Sequence, residues 1–358
     1  GWPASTAGSF FNVRGFNSMR PLVLLLLLVP LALGQALNLC PNAVIVGPQN
    51  ATAIATYISK AQNAVYIEAY ALTWRDLAQT LASLAQRGVQ VYVVLSGNVY
   101  GGVPTTEKQL VQYLQQNGVH VAYNYDFRYV HTKAFVIDNE TVILGSINPT
   151  YSGVTNDLGL DVVIDNSTLA QEIATIILND YNRIYPRYNY IGVIISPINS
   201  YNYLEWLLNR QGQAYAAVEE IYSDSGLADL LMNKAALAIA RVTDVSGVQT
   251  VNDLTAKVIV VGNYVYVGSI NLSGNSINNN RELGLLLHCP SLAKAAVALI
   301  YEWAGVESTV GGAPSPQTAQ SSVAQSSQQS NLLYVAVIIL LAVLMLIAGR
   351  KSNRRRRK

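Results

Sequence analysis

The sequence states one phrase twice. Residues 130–148 read VHTKAFVIDNETVILGSIN, and residues 254–271 read LTAKVIVVGNYVYVGSIN. Each holds a lysine between apolar neighbours, a run of Val and Ile, and a closing Gly-Ser-Ile-Asn. The likeness extends upstream, where residues 43–72 resemble residues 191–223. Both have a Val/Ile run ending near a proline, an amphipathic stretch, and an alternating run that ends in tyrosine. Such a chain is two copies of one unit, each needing cover for its apolar faces.

Periodicity within each copy alternates between strand and helix. The first copy predicts a helix over 76–88, a buried strand in VQVYVVLSG, a helix in TEKQLVQYLQQNG and a strand in VHVAYN. The second predicts a helix over 226–241 and is shorter through this stretch. Both then reach the shared phrase, a strand–turn–strand, followed by NDLGLDVVI or RELGLLL and a closing helix over 168–182 or 291–304. This order defines an α/β class. We expect two α/β repeats, 38–188 and 189–308, packed as a pseudo-dimer about a pseudo-twofold axis.

The ends read differently. Residues 1–18 precede Met19 and have the character of a tag or an overlong start. Residues 19–37 combine a basic start with an apolar run too short to span a bilayer, the layout of a signal peptide or signal anchor. Residues 309–331 form a Ser/Gln-rich tether. Residues 332–349 are uncharged and mostly apolar. At about 1.5 Å per residue they reach about 27 Å, enough for a transmembrane helix. The basic tail 350–358 marks the cytoplasmic side, so the body is expected outside the cell membrane. Between residues 36 and 330 there are 14 Lys and Arg against 21 Asp and Glu, a net −7. An acidic body argues against broad nucleic-acid binding, which rests on basic surface. Cys40 and Cys289 flank the folded region. In an oxidising exterior one disulfide is the simpler reading, with two buried thiols as the alternative.

The phrase also carries chemistry. In an extended segment residues two apart share a face, so His131 and Lys133 stand side by side. Asn148, after the Gly145-Ser146 turn, can return to that face. Lysine, asparagine and serine donors around a histidine suit a phosphate group, with the imidazole as nucleophile or general acid/base. Such a histidine needs a carboxylate to fix its tautomer. Asp157, at the head of NDLGL, is the leading candidate, with Glu282 its counterpart in the other copy.

The string H-x-K-x4-D-x6-G-S-x-N, formed by His131, Lys133, Asp138, Gly145, Ser146 and Asn148, resembles the motif of the phospholipase D, or HKD, superfamily. The resemblance implies two packed units sharing one active site. One histidine attacks phosphorus and the other protonates the leaving group, with no metal or other cofactor. Carried over, His131 is the nucleophile and Asp157 orients it. Lys133, Asn148, Lys257 and Asn271 clamp the phosphate, supported by Ser146 and Ser269. Asp138 belongs to the motif set in a structural rather than chemical capacity. The second copy keeps Lys257, Ser269, Asn271 and Glu282 but has Thr255 and Gly262 where the motif has His and Asp. The other histidines, His120 and His288, lie outside the motif. Three functions follow: a membrane-tethered phosphodiesterase with phospholipid head groups favoured, a non-catalytic phosphate-binding scaffold, or an extracytoplasmic endonuclease. The sequence does not fix the oligomeric state.

Overall fold

A computed structural model describes residues 35–306. The start at 1–18, most of the leader 19–37, the tether 309–331, the apolar span 332–349 and the basic tail lie outside the described residues. Of the leader only residues 35–37 are described, and Leu37 bridges Leu287 of the second repeat. Among the described residues no helix is long and apolar enough to cross a membrane.

The first repeat forms a seven-stranded sheet from β1 (Ala43–Val46), β2 (Ala64–Ala69), β3 (Gln90–Ser96), β4 (His120–Asn124), β5 (Lys133–Ile137), β6 (Thr141–Gly145) and β7 (Leu160–Asp165). Its order is β1-β7-β6-β5-β2-β3-β4. The second repeat builds its sheet from β8 (Val193–Ser196), β9 (Ala214–Val218), β11 (Ala235–Ala240), β13 (Gln249–Thr250), β14 (Lys257–Val261), β15 (Tyr264–Gly268) and β16 (Glu282–His288). Read backwards, its order is β8-β16-β15-β14-β9-β11-β13, the first order with each strand replaced by its counterpart. A separate parallel pair joins β10 (Glu220–Ile221) to β12 (Val242–Thr243).

The strands are apolar on both faces because both faces are covered. Along β5, Ala134 and Val136 enter a central cluster while Phe135 and Ile137 enter an outer one. Along β14, Val258 and Val260 enter the same central cluster, and Ile259 and Val261 an outer cluster of their own. The central cluster draws on both repeats and on the helices Ser167–Tyr181 and Pro290–Ala304. Each fully buried aliphatic side chain there contributes roughly 1.5–3 kcal/mol.

One predicted element is corrected. Residues 226–241 are not a continuous helix: Ala228–Met232 is helical and Ala235–Ala240 is strand β11. Alanine favours helix, but β11 pairs in parallel with β9, and burial of Ala238, Ile239 and Ala240 overrides the local preference.

Two reciprocal crossings join the repeats at one end of the sheets. Arg281 N–H donates to the Tyr129 carbonyl (2.8 Å), and His131 N–H donates to the Arg281 carbonyl (2.8 Å). In mirror image, Leu158 N–H donates to the Asp253 carbonyl (2.8 Å) and Thr255 N–H to the Leu158 carbonyl (3.0 Å). These crossings have the form of a pseudo-twofold. A Cys40–Cys289 disulfide, with Cα atoms 5.2 Å apart, ties the start of the first repeat to the last helix of the second.

Candidate active site

His131 lies in the irregular segment just before β5, its backbone held by the crossing to Arg281. Its Nδ1 is 3.1 Å from Glu282 Oε2. The other oxygen, Oε1, accepts from Ser276 Oγ (2.6 Å) and Asn280 Nδ2 (2.9 Å). Burial alone would raise the Glu282 carboxyl, but the His131 and Lys133 charges and its hydrogen bonds outweigh it, holding it below its ordinary value. An ionised carboxylate only accepts, so the hydrogen bond puts a proton on Nδ1, and in the neutral ring that leaves the Nε2 lone pair free. Tyr70 meets the ring edge-on at a centroid distance of 5.2 Å.

This arrangement corrects the expected orienting residue. Glu282 of the second repeat, not Asp157 of the first, contacts His131. The reason is the crossing: β16, which opens with Glu282, begins beside the first repeat's motif, where Arg281 pairs with His131. Asp157 is half-buried on the other side, in the company of Glu219, Arg241 and Lys257. Burial, then the Glu219 charge, raise its carboxyl above the ordinary value.

Both motif lysines converge in the buried seam. Lys133 Nζ donates to the His131 carbonyl (2.6 Å), and Lys257 Nζ to the Thr255 carbonyl (2.7 Å). Burial, then repulsion from Lys257, pull the Lys133 ammonium down to about 7. An anion placed between two such ammoniums would relieve both effects. Asn148 offers a buried Oδ1 that no described residue hydrogen-bonds. The corresponding oxygen of Asn271 instead accepts from Glu220 N–H at 3.1 Å.

The motif serines are structural rather than free phosphate donors. Ser146 Oγ donates to the Leu160 carbonyl (3.3 Å) and accepts from Leu160 N–H (2.9 Å). Ser269 does the same with Leu283, at 3.2 and 3.1 Å. Each hydroxyl staples its turn to the next strand and is spent there. The turn also needs Gly145, where an added Cβ would lie 2.1 Å from the Leu160 carbonyl oxygen. Asp161 holds the same turn, accepting from Ser146 N–H (2.7 Å) and Ile147 N–H (3.0 Å).

Asp138 sits at the far end of β5 from His131 and belongs to no reacting group. Its carboxylate accepts from the N–H groups of Gln62 (2.9 Å), Asn63 (2.7 Å) and Ala64 (2.9 Å), fastening the entry to β2. Its φ of 55° is left-handed, and Gly262 keeps that turn in the second repeat with φ 59°. The second copy has therefore lost a backbone staple there, not a catalytic group.

Thr255 is buried, and its Oγ1 has no partner among the described residues. Beside it stands Glu219, whose Oε2 is 2.6 Å from Lys257 Nζ and whose Oε1 pairs with Arg241. Sequence reading missed Glu219. Matching the two copies on their closing tyrosines hid it, whereas strand register pairs Ala69 with Lys133 and Val218 with Lys257. Glu219 is thus the counterpart of Tyr70. Also missed was the network behind His131, where Arg281 makes a two-pronged ion pair with Asp180, each contact 2.6 Å. Burial, then the Asp180 charge, push the neighbouring Glu68 carboxyl well above its ordinary value. His120 is exposed and stacks on Tyr92, and His288 bonds Asn38; neither enters the site.

Two packed repeats, a histidine locked across the seam and two converging lysines define a phospholipase D-like site. Residues 54–181 match the family model described as cardiolipin synthase, PLD-like domain. This match supports a phospholipase D superfamily protein, with an intact first motif and a degenerate second. Over 127 residues it is 24% identical to the mitochondrial cardiolipin hydrolase of Canis lupus familiaris, a match covering 34% of this chain and 44% of that protein. The chain thus spans less than half the length of that curated relative. The fold is shared with phosphatidylserine synthase of Haemophilus influenzae (TM-score 0.54, 14% identity, 76% of this chain and 89% of that one). It is also shared with polyphosphate kinase of Porphyromonas gingivalis (TM-score 0.60, 10% identity, 80% and 55%).

Proposed function

We propose that the protein hydrolyses phosphodiesters through a phosphohistidine on His131, with phospholipid head groups as the favoured substrate class. The observation that carries this reading is the His131–Glu282 contact, which leaves Nε2 as a free nucleophile beside two buried lysines. Lys133 and Lys257 would hold the non-bridging oxygens while Nε2 attacks phosphorus in line with the departing oxygen. Water then releases the phosphoryl group. The similarity to a cardiolipin hydrolase favours a lipid, and the net −7 of the body disfavours nucleic acid. We further propose, from the sequence of the two ends, that the body lies outside the cell membrane on a C-terminal anchor.

The test uses an activated aryl phosphodiester and phospholipid vesicles containing cardiolipin. Wild type should turn over both and yield a trapped phosphohistidine, and His131→Asn should abolish both while keeping the fold. A wild type that forms no phosphohistidine with either substrate overturns the enzyme reading. A second reading, a non-catalytic phosphate-binding scaffold, is favoured by Thr255 and by the Glu219–Lys257 ion pair, which already occupies one phosphate ligand. It requires that inorganic phosphate bind equally well to wild type and His131→Asn while neither turns over.

A further inference from the structure

The degenerate half-site contains a carboxylate that the motif does not supply. Glu219 is buried at the end of β9, bound at once to Lys257 and Arg241. It lies close enough to His131 for the two charges to interact. Thr255 leaves the space opposite His131 without an imidazole, and its hydroxyl is committed to no partner among the described residues. Glu219 is the acid bonded to the second motif lysine, the group that would contact the phosphate from that side.

We propose that Glu219 is the proton-transfer group for the leaving oxygen, standing in for the histidine that the second repeat lacks. The proposal rests on the phosphodiesterase reading above. Paired with Lys257 and Arg241, Glu219 is an anion. A phosphodiester that takes Lys257 as its own counter-ion adds negative charge beside Glu219 and withdraws a cation from it. Both changes favour the protonated carboxyl, which takes up one proton from solvent. His131 Nε2 then forms the P–N bond, the bond from phosphorus to the leaving oxygen breaks, and Glu219 gives that oxygen its proton. An alcohol, a phosphohistidine and the Glu219 carboxylate result. Water next adds to phosphorus as its proton passes to Glu219. The P–N bond breaks, neutral His131 is restored, and a phosphomonoester departs.

The groups facing Glu219 are consistent with this switch. Lys257, Arg241 and Lys133 supply positive charge, His131 and Tyr70 are neutral polar neighbours, and Glu220 and Asp157 lie on the acidic side. Burial alone would raise the carboxyl, yet Lys257, His131 and Arg241 hold it at about 2. A bound anion therefore has a wide range through which to move it.

The experiment compares Glu219→Gln and Glu219→Asp with wild type. Glutamine keeps the size and an oxygen for Lys257 but cannot transfer a proton. Loss of a general acid/base typically costs about 10²–10⁴-fold, and a fall of that size is expected for a dialkyl phosphate ester. With an activated aryl diester, whose leaving group needs no proton, Glu219→Gln should release a burst of phenol equal to the enzyme and then stall. The stalled enzyme should carry phosphohistidine, because water now lacks its base. Glu219→Asp should recover part of both rates. A second readout needs no turnover. Calorimetry of sulfate binding in buffers of different ionisation heat should show about one more proton taken up by wild type than by Glu219→Gln. Equal alkyl-ester rates, no burst and equal proton uptake would overturn the proposal while leaving an active wild type. An inactive wild type would instead sink the phosphodiesterase reading itself.

Discussion

Replacing Glu282 by glutamine should cripple His131 without moving it, and replacing Asp157 by asparagine should not. The difference follows from the crossed pairing. Glu282 Oε2 faces His131 Nδ1 at 3.1 Å, while Oε1 accepts from Ser276 and Asn280. A glutamine can present its oxygen to only one of these sides. If its amide group faces His131, the ring must accept at Nδ1 and carry its proton on Nε2, which is then no nucleophile. If the amide group faces Asn280, two N–H donors meet, since Asn275 holds the Asn280 oxygen at 3.2 Å. Either arrangement forfeits a charge-assisted hydrogen bond, about 1.5–3 kcal/mol, or roughly 10–10²-fold in rate. Where the tautomer inverts, the comparable change in the serine protease triad costs about 10⁴-fold. We expect kcat/KM on an activated aryl phosphodiester to fall about 10²–10⁴-fold for Glu282→Gln, with the folded state retained by circular dichroism. Asp157→Asn, a change on the Glu219 and Lys257 side of the seam, should stay within about threefold of wild type. Equal losses in the two variants, or a larger loss at Asp157, would refute the crossed assignment.

The disulfide closes a loop with a sequence separation of 249, and on the chain-entropy model its removal by Cys40→Ser with Cys289→Ser should cost on the order of 5 kcal/mol. Denaturant unfolding measures this; free thiols titrating in unreduced, denatured wild type would refute the bridge. Asp161 is wholly buried, and burial raises its carboxyl to about 7 against its backbone hydrogen bonds. The folded state then keeps a proton that the unfolded chain loses near 3.8, so this group's contribution to stability falls as pH rises from about 4 to 7. Asp161→Asn should gain on wild type across that window, by at most about 1.4 kcal/mol per pH unit; a parallel pair of stability–pH curves would refute this. Asp138→Ala should lower the melting temperature by loosening the Gln62–Ala64 amides while leaving kcat on the aryl diester within about twofold.

Much of the architecture was legible because the repeat doubles every signal. Val/Ile runs bounded by glycine and proline mark the strands, and the closing helices fall within a residue of Ser167–Tyr181 and Pro290–Ala304. The stretch 226–241 misled because alanine is a helix former, and only pairing with β9 makes Ala235–Ala240 a strand. At the site, His131 and the two lysines were readable from residue type and spacing. Their partners were not. A single strand says which face a carboxylate takes but not which repeat's histidine lies across the seam, so Glu282 and Asp157 were exchanged. The serines looked like phosphate donors because the sequence does not show that the hydroxyls of Ser146 and Ser269 are already engaged by Leu160 and Leu283. Glu68, Asp180 and Arg281 are far apart in sequence and meet only through the fold.

The crossing also explains how one half-site can decay without emptying the other. If each histidine were held by its own repeat, loss of the second histidine would leave Glu282 without a partner. In the crossed arrangement the register position facing Thr255 is Gly159, which carries no carboxylate, while Glu282 remains bound to the histidine that survives. Arg281, next to Glu282, is fixed by Asp180 and hydrogen-bonds the backbone on both sides of Val130. The degenerate repeat therefore still supplies the orienting carboxylate, its backbone support and Lys257, three of the parts His131 needs. This division predicts the outcome of Thr255→His. The register position that Glu282 holds for His131 is Gly159 in the first repeat, since Leu158 makes the crossing that Arg281 makes and Leu160 meets Ser146 as Leu283 meets Ser269. A new imidazole would therefore rely on Asp157, two residues earlier, for its carboxylate. Space is tight, since a Cβ added at Gly159 would lie 3.3 Å from Thr255 Oγ1. Where the ring is accommodated, alkyl-ester hydrolysis should rise above wild type, and in the Glu219→Gln background the rise should be larger. Asp157→Asn should cancel the gain, a coupling it does not show in wild type. A gain that survives Asp157→Asn would show that the crossed partner on that side is not Asp157.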